Sequence, residues 1–321
     1  MKKIFVSLVL IILASVAYSQ EEDQLLVSEI KQSTVITQPA TLKKGFFRIS
    51  AVFTYGAADK MFSDNGRKEY LVGNAWTRSS TNIIELQYGL SNSIEMAFAL
   101  PYEISTTSRS IIDIIPVTDS VITTARKLKG NGIGDIEFAI SYQIIKGTKS
   151  KPSLVSKLIA TFPTGRKNPS NIKNRWEYDK PTGRGETTLA LQVIYRKVIY
   201  PYSYSFTGAF KYPFGGEKVL FPYEDPISFR SGNYYEAGGN FNFLLNDWIA
   251  VQNDLYYAYK RADSYNDNTT YFSNNQSAIY YHPNISFQLK KFRLVQGVLF
   301  PLKGKSISAD PYYNIYLQYI F

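Results

Sequence analysis

The sequence contains one histidine and no cysteine, which leaves few routes to covalent chemistry. His282 is the obvious candidate for a general base, because imidazole changes charge near neutral pH. Its neighbours do not complete a nucleophilic pair: position 284 is Asn, and Ser286 shares the face only at a longer reach. A histidine held in a hydrogen-bond network is the plainer reading, and no catalytic residue is expected. Asp135 and Glu137 stand two apart, the spacing of an acid pair or of two metal ligands on one strand face. Such carboxylates also pair with bases from neighbouring strands, here Lys157, Arg196 or Arg48, and that pairing is the expectation, with no metal or cofactor. Gly130, Gly132 and Gly134 lack the spacing of a phosphate-binding G-x-G-x-x-G loop and precede a strand pattern where a helix is required, so they read as a turn.

Strands must position these residues. Counting back in twos from the C-terminus, Phe321, Tyr319, Leu317, Ile315 and Tyr313 form an apolar and aromatic face, while Tyr312, Asn314, Tyr316 and Gln318 form a more polar one. From Gly45 onward, segments of about ten residues repeat that alternation, the length a tilted strand needs to cross a membrane. The clearest sets Ile136, Phe138, Ile140, Tyr142 and Ile144 against Asp135, Glu137, Ser141 and Gln143. Between Ser153 and Phe162 both registers hold apolar residues, and the facing stays open.

About twelve strands result on this period-two reading. Short turns follow the even strands, as at Ser91-Asn92-Ser93 and Asn246-Asp247, and long loops follow the odd ones. One long connection runs from about Ile104 to Asn131, and a basic one holds Arg166, Lys167, Lys173, Arg175, Lys180 and Arg184. This grammar predicts an all-β fold, a transmembrane antiparallel β-barrel over 45–321 with short periplasmic turns and long extracellular loops. Backbone polar groups in hydrocarbon must pair, so the sheet must close. Arg48, Glu85, Glu95, Asp135, Glu137, Glu186, Arg196, Lys211, Glu236, Asp254, Lys260, His282 and Arg293 fall in the polar register and are expected to line the lumen. A base on the lipid face at mid-depth would cost about 2 to 4 kcal/mol.

Residues 1–19 have the layout of a secretory signal peptide: Lys2 and Lys3, an apolar run from Ile4 to Val16, then Ala17 and Ser19 around Tyr18. The run is shorter than the roughly 20 residues that a helical anchor needs. Residues 20–44 read as a periplasmic N-terminal segment, with a plug inside the barrel as the alternative. No later stretch reaches about 18 apolar residues, which excludes helical spans. The lack of cysteine excludes a lipidated N-terminus, disulfides and thiolate metal sites. The 26 Tyr and 20 Phe, against 3 Trp and 3 Met, suit a surface that meets both hydrocarbon and water. The formal charge of +10 falls to +8 once Lys2 and Lys3 leave, since no acid lies in the first 19 residues. For an exported protein that charge meets outer-membrane lipid or lipopolysaccharide phosphates rather than nucleic acid. The basic loop is either solvated or clamps those phosphates.

Two stretches carry a family resemblance. Asn82 to Tyr102, with Glu85, Tyr88-Gly89-Leu90, Glu95 and Leu100-Pro101-Tyr102, is one; Gly132-Ile133-Gly134-Asp135, then Tyr142 and Phe162-Pro163-Thr164-Gly165, is the other. They resemble the outer-membrane family named after the meta-pathway of phenol degradation, whose members are labelled transporters. The resemblance implies an outer-membrane channel or transporter for passive passage of small solutes, hydrophobic or aromatic ones among them, and not an enzyme. The alternative is a non-conducting barrel that binds a ligand or partner through its extracellular loops. Barrel phospholipases, a third class, carry a histidine two residues from a serine, and Asn284 departs from that pattern. About twelve strands enclose less than the 16 to 18 of open porins, so a restricted pore is expected. The terminal strand ending at Phe321 resembles the signal by which such barrels engage the barrel-assembly machinery.

Overall fold

The computed structural model describes residues 41–71, 75–115, 120–147, 151–174, 177–266 and 274–321, with the backbone path alone at 109–115 and 120–126. The expected signal peptide and residues 20–40 lie outside the described residues. Period-two alternation produces strands along the whole described chain: β1 (Phe47–Ala58), β2 (Trp76–Gly89), β3 (Ile94–Ile115), β4 (Ser120–Ile133 continued by Ile136–Ile145), β5 (Ser153–Phe162) and β6 (Glu186–Ile199). The second half comprises β7 (Tyr202–Lys218), β8 (Tyr234–Asn246), β9 (Ile249–Lys260), β10 (Gln276–Leu289), β11 (Phe292–Lys305) and β12 (Tyr312–Ile320). Each pairs antiparallel with the next, and β12 returns to β1, with Ser50 opposite Gln318 and Phe53 opposite Ile315. The twelve strands therefore form a closed antiparallel barrel. No helix among the described residues is long and apolar enough to cross a membrane, a statement that does not bear on strands.

The two faces of the sheet are inverted relative to a water-soluble protein. Phe206 is 58% exposed and Leu255 53% on the outside, whereas Ser50, Ser203 and Ser286 are fully buried and Glu186 is 1% exposed. Among the described residues the buried apolar cluster amounts to Leu244 and Ala250. Hydrophobic collapse onto an interior core cannot stabilise such a molecule, so hydrocarbon has to cover the outside. Outward aromatics gather near the short turns: Phe47 against Tyr88, Tyr202 against Phe243 and Tyr319 against Phe321, with centroids 4.5 to 5.2 Å apart. An amphipathic ring of this kind suits a membrane interface.

Turn chemistry explains the short end. Asn246 Oδ1 accepts the backbone N–H groups of Trp248 and Ile249 and so closes the β8–β9 turn. Lys290, at φ +52°, turns the chain between β10 and β11. In β5 the pairing resolves the facing: Leu158 and Phe162 point outward, while Val155, Lys157, Ile159 and Thr161 share the inner register with Gln192 and Thr188.

One expectation fails. The connection expected from Ile104 to Asn131 is strand over 104–115 and 120–131, with Ser105 opposite Gly130 and Ile115 opposite Ser120, so β3 and β4 pair far beyond the expected strand end. Other long connections also carry short strands. Lys60–Phe62 pairs with Lys68–Tyr70 and with Ile307–Ser308, and Ser170–Asn174 pairs with Glu177–Asp179.

Candidate functional site

The inner face begins at the short-turn end with a closed polar network. The Arg48 guanidinium donates to Gln87 Oε1 and lies 3.2 Å from Glu95 Oε2. Gln87 Nε2 donates to Glu85 Oε1 at 2.8 Å, and Glu95 Oε2 also accepts the Leu42 backbone N–H at 2.8 Å. The segment before β1 thus crosses the inner wall, with Thr41 and Leu42 buried. Arg293 from β11 donates to Ser286 Oγ at 3.0 Å.

Midway along β8 to β12 the inner wall is built from amides. His282 Nδ1 lies 3.2 Å from Asp254 Oδ2, and His282 Nε2 lies 2.7 Å from Asn314 Nδ2. An Nδ1–H donated to Asp254 leaves Nε2 to accept the Asn314 amide. Asn284 Nδ2 donates to Asp254 at 3.1 Å, Asn240 donates to its other oxygen, and Asn242 donates to Ser203 Oγ at 3.1 Å. Ser286 Oγ accepts from Arg293 instead of facing the imidazole, so the candidate base has a carboxylate behind it and an amide in front. The backbone of β11 comes close here: a Cβ on Gly297 would fall 1.8 Å from Asn284 Oδ1.

At the long-loop end two of the quoted motifs meet. Thr164 Oγ1 donates to Gly134 O at 3.1 Å and accepts the Ile136 N–H at 3.0 Å. Asp135 accepts the backbone N–H groups of Gly165 at 3.0 Å and Arg184 at 2.7 Å. Gly183 lets the loop pass this close, since a Cβ there would lie 2.4 Å from Asp135 Oδ1. The contacts seen for Asp135 and Glu137 are with other partners than the expected Lys157, Arg196 or Arg48. Asp135 staples both ends of the basic loop, Glu137 accepts Thr161 Oγ1 at 3.2 Å, and Arg48 is engaged by Glu95. Within the loop, Arg166 donates to Lys180 O at 2.7 Å and Lys173 pairs with exposed Glu177; Arg175 lies outside the described residues.

Stapling sets Arg184 at the rim of a cavity of about 380 Å³ on the inner face of β6 to β10. Glu186, Lys211, Lys260, Tyr234 and Tyr280 also line it. Lys260 is paired with Asp263 at 2.6 Å, and the Tyr234 hydroxyl donates to Glu236 at 2.5 Å. Glu186 Oε2 accepts the Ser231 N–H at 2.9 Å, while its buried Oε1 has no hydrogen-bond partner. Among the described residues no three His, Asp or Glu side chains converge to hold a metal.

The closed antiparallel barrel superposes on solved structures. The fold is that of an outer-membrane β-barrel. An outer membrane channel from Pseudomonas putida F1 is 14% identical, matches 88% of this chain and 97% of its own, and superposes with a TM-score of 0.68. The translocator domain of the autotransporter NalP from Neisseria meningitidis is 9% identical over 93% of this chain and 98% of that one, with a TM-score of 0.50. The CymD monoaromatic hydrocarbon channel is 8% identical over 94% and 92%, also at 0.50. No protein-family model matches the sequence, and no curated protein matches it.

The registers carry twelve of the thirteen polar-register residues on the face of the sheet opposite the exposed aromatics, and Asp135 sits at the break between the two parts of β4. Sequence reading named Arg184 as part of the basic loop, and it missed the inward tyrosines Tyr234, Tyr256 and Tyr280. Their signal was parity: Tyr234 stands two from Glu236, Tyr256 two from Asp254 and Tyr280 two from His282.

Proposed function

We propose that this protein is an outer-membrane channel through which small solutes pass passively, with a mixed-charge inner wall that sets selectivity without chemistry. The observation that carries this reading is a closed barrel whose charged side chains turn inward beneath an exposed apolar exterior. The resemblance to the phenol-degradation family extends the reading to hydrophobic or aromatic solutes, and Tyr256 and Tyr280, stacked at 5.0 Å, offer ring faces on the inner wall. The same reading assigns residues 1–19 to export, the short turns to the periplasm, lipid and lipopolysaccharide to the surroundings, and β12 with Phe321 to the assembly machinery. It gives His282 a place in the wall and no reaction. Liposomes containing the purified barrel should admit small sugars such as arabinose faster than empty ones. Equal rates for every small solute tried would leave a non-conducting barrel that acts through its loops.

A further inference from the structure

Paired residues on neighbouring strands share a face, and the register carries one row across the outside of the barrel from Arg78 on β2 through Thr106 on β3 to Lys129 on β4. The next row toward the long loops runs from Trp76 through Ser108 to Lys127. Both rows have the lipid-facing parity, because Ile104 and Ile133 on the same parity are 46% and 51% exposed. Arg78, Lys127 and Lys129 are themselves exposed. The Arg78 guanidinium lies 4.8 Å from the centre of the Trp76 ring and the Lys127 ammonium 5.9 Å from it, so one indole gathers two cations. Lys129 completes a triangle of bases, with Cα positions about 7 to 12 Å apart on strand spacings and Thr106 as its small polar floor. Among the described residues none of the three forms an ion pair. Asp179, beside Lys129 in the backbone pairing, accepts from the Asn171 amide instead. Like charges gathered on one exposed face repel and call for an anion.

Depth identifies that anion. Tyr88 stands in the aromatic ring near the short turns, and Arg78 lies about ten residues from it on the same strand, the span that carries a tilted strand across hydrocarbon. On β3 the outward Phe98, Tyr102 and Ile104 are exposed and apolar up to the row below the bases, and the apolar lane stops there. Beside Arg78 is a hollow of about 610 Å³, walled by Trp76, Tyr70, Tyr313 and Pro311 together with Asp59 and Asp310. Asp310 is engaged by the Asp59 and Lys60 N–H groups. Rings that stack on C–H faces and a carboxylate that accepts hydroxyls suit a sugar. We propose that this patch binds an outer-leaflet lipopolysaccharide through its phosphorylated amino-sugar head, with a phosphate among Arg78, Lys127 and Lys129, the sugar in the hollow, and an acyl chain descending along Ile104 and Tyr102. Asp59 repels phosphate and accepts a sugar hydroxyl, so the phosphate takes the Lys127 side of Arg78. The guanidinium holds it with paired N–H groups, and Trp76 is the positioning residue beneath.

This inference rests on the outer-membrane reading with the long loops outside, and it does not require conduction. Native mass spectrometry of the full barrel in detergent tests it, with bisphosphorylated lipid A as the probe. One copy should be retained at least about tenfold more tightly than dephosphorylated lipid A, which lacks the anion, and than phosphatidylglycerol, which has a phosphate and no sugar. Arg78→Gln and Lys127→Gln should each weaken lipid A about tenfold. Both variants should keep the heat-dependent gel mobility of a closed barrel, since neither side chain touches the inner wall. Lys173→Gln, in an exposed pair of the basic loop, should leave the affinity unchanged. Equal affinity for the three lipids, or indifference to both substitutions, overturns the site. Displacement of lipid A by inorganic phosphate assigns the bases to the free anion and overturns the lipid. Arabinose uptake in liposomes reads the lumen and lipid A binding reads the outside, so failure of one leaves the other standing.

Discussion

The two ends of the inner face solve opposite problems with the same kinds of residue. Near the short turns, Arg48, Gln87, Glu85 and Glu95 answer one another on adjacent strands, and the Leu42 N–H takes a further acceptor position. Near the long loops, Glu186 buries one oxygen without a hydrogen-bond partner, and Asp135 accepts the Arg184 N–H from the end of the basic loop. The difference follows from chain geometry. Short turns, such as 90–93 between β2 and β3, fix neighbouring strands in register, so charges near the turn meet predictable partners. Long loops bring together residues from distant segments, and the space between them is set by the loops' own contacts. Closed networks stiffen a wall, and open ones can receive a solute.

The largest perturbation removes the frame common to both ends. Deleting 312–321 leaves β11 and β1 with unpaired edges in hydrocarbon, and the product should show no heat-modifiable gel mobility and no membrane insertion. Next, Arg48→Met strands Glu95 as a buried carboxylate and should cost about 3 to 5 kcal/mol, read from the urea midpoint of the reconstituted barrel. A loss near zero would mean that water already reaches this network. Asp135→Ala removes two charged hydrogen bonds, worth about 1.5 to 3 kcal/mol each in place. That loss belongs to the loop, so limited proteolysis within 163–185 should accelerate while the urea midpoint moves less than in Arg48→Met. Equal midpoint shifts would erase the contrast between the ends. Gly297→Ala forces Asn284 and His282 aside and should cost about 1 to 3 kcal/mol. The smallest effect is expected from Lys173→Gln, whose exposed pair should leave the midpoint unchanged.

Most of the barrel was legible because period two is a strong signal wherever one face meets lipid and the other meets water. The even strand count, the Asn246-Asp247 turn and the pairing of the first strand with the last all follow from it. The pairing of 94–115 with 120–133 was not legible. Beyond Ile104 the run Ser105-Thr106-Thr107-Ser108 has no apolar face, since a strand that rises above the bilayer needs none. The site was half legible. Parity placed Glu186 and Lys211 on the inner register, and Arg184 stands two residues before Glu186, yet the bond from its backbone N–H to Asp135 spans 49 residues of chain and leaves no mark in the pattern. Asp135 has the parity of a lumen charge. Its oxygens are taken by backbone donors that no side-chain pattern reveals.

Closure also governs time. Ser50 and Tyr316 share a hydrogen bond at 2.9 Å across 266 residues of chain. No contact of that span can form until nearly all of the chain is available, and sheets built from distant pairings fold slowly. Until the last strand arrives, both open edges invite association with other strands. A chain with this topology must therefore be kept apart from its neighbours on its way to the membrane, and the final pairing, more than any single strand, sets when the molecule becomes safe.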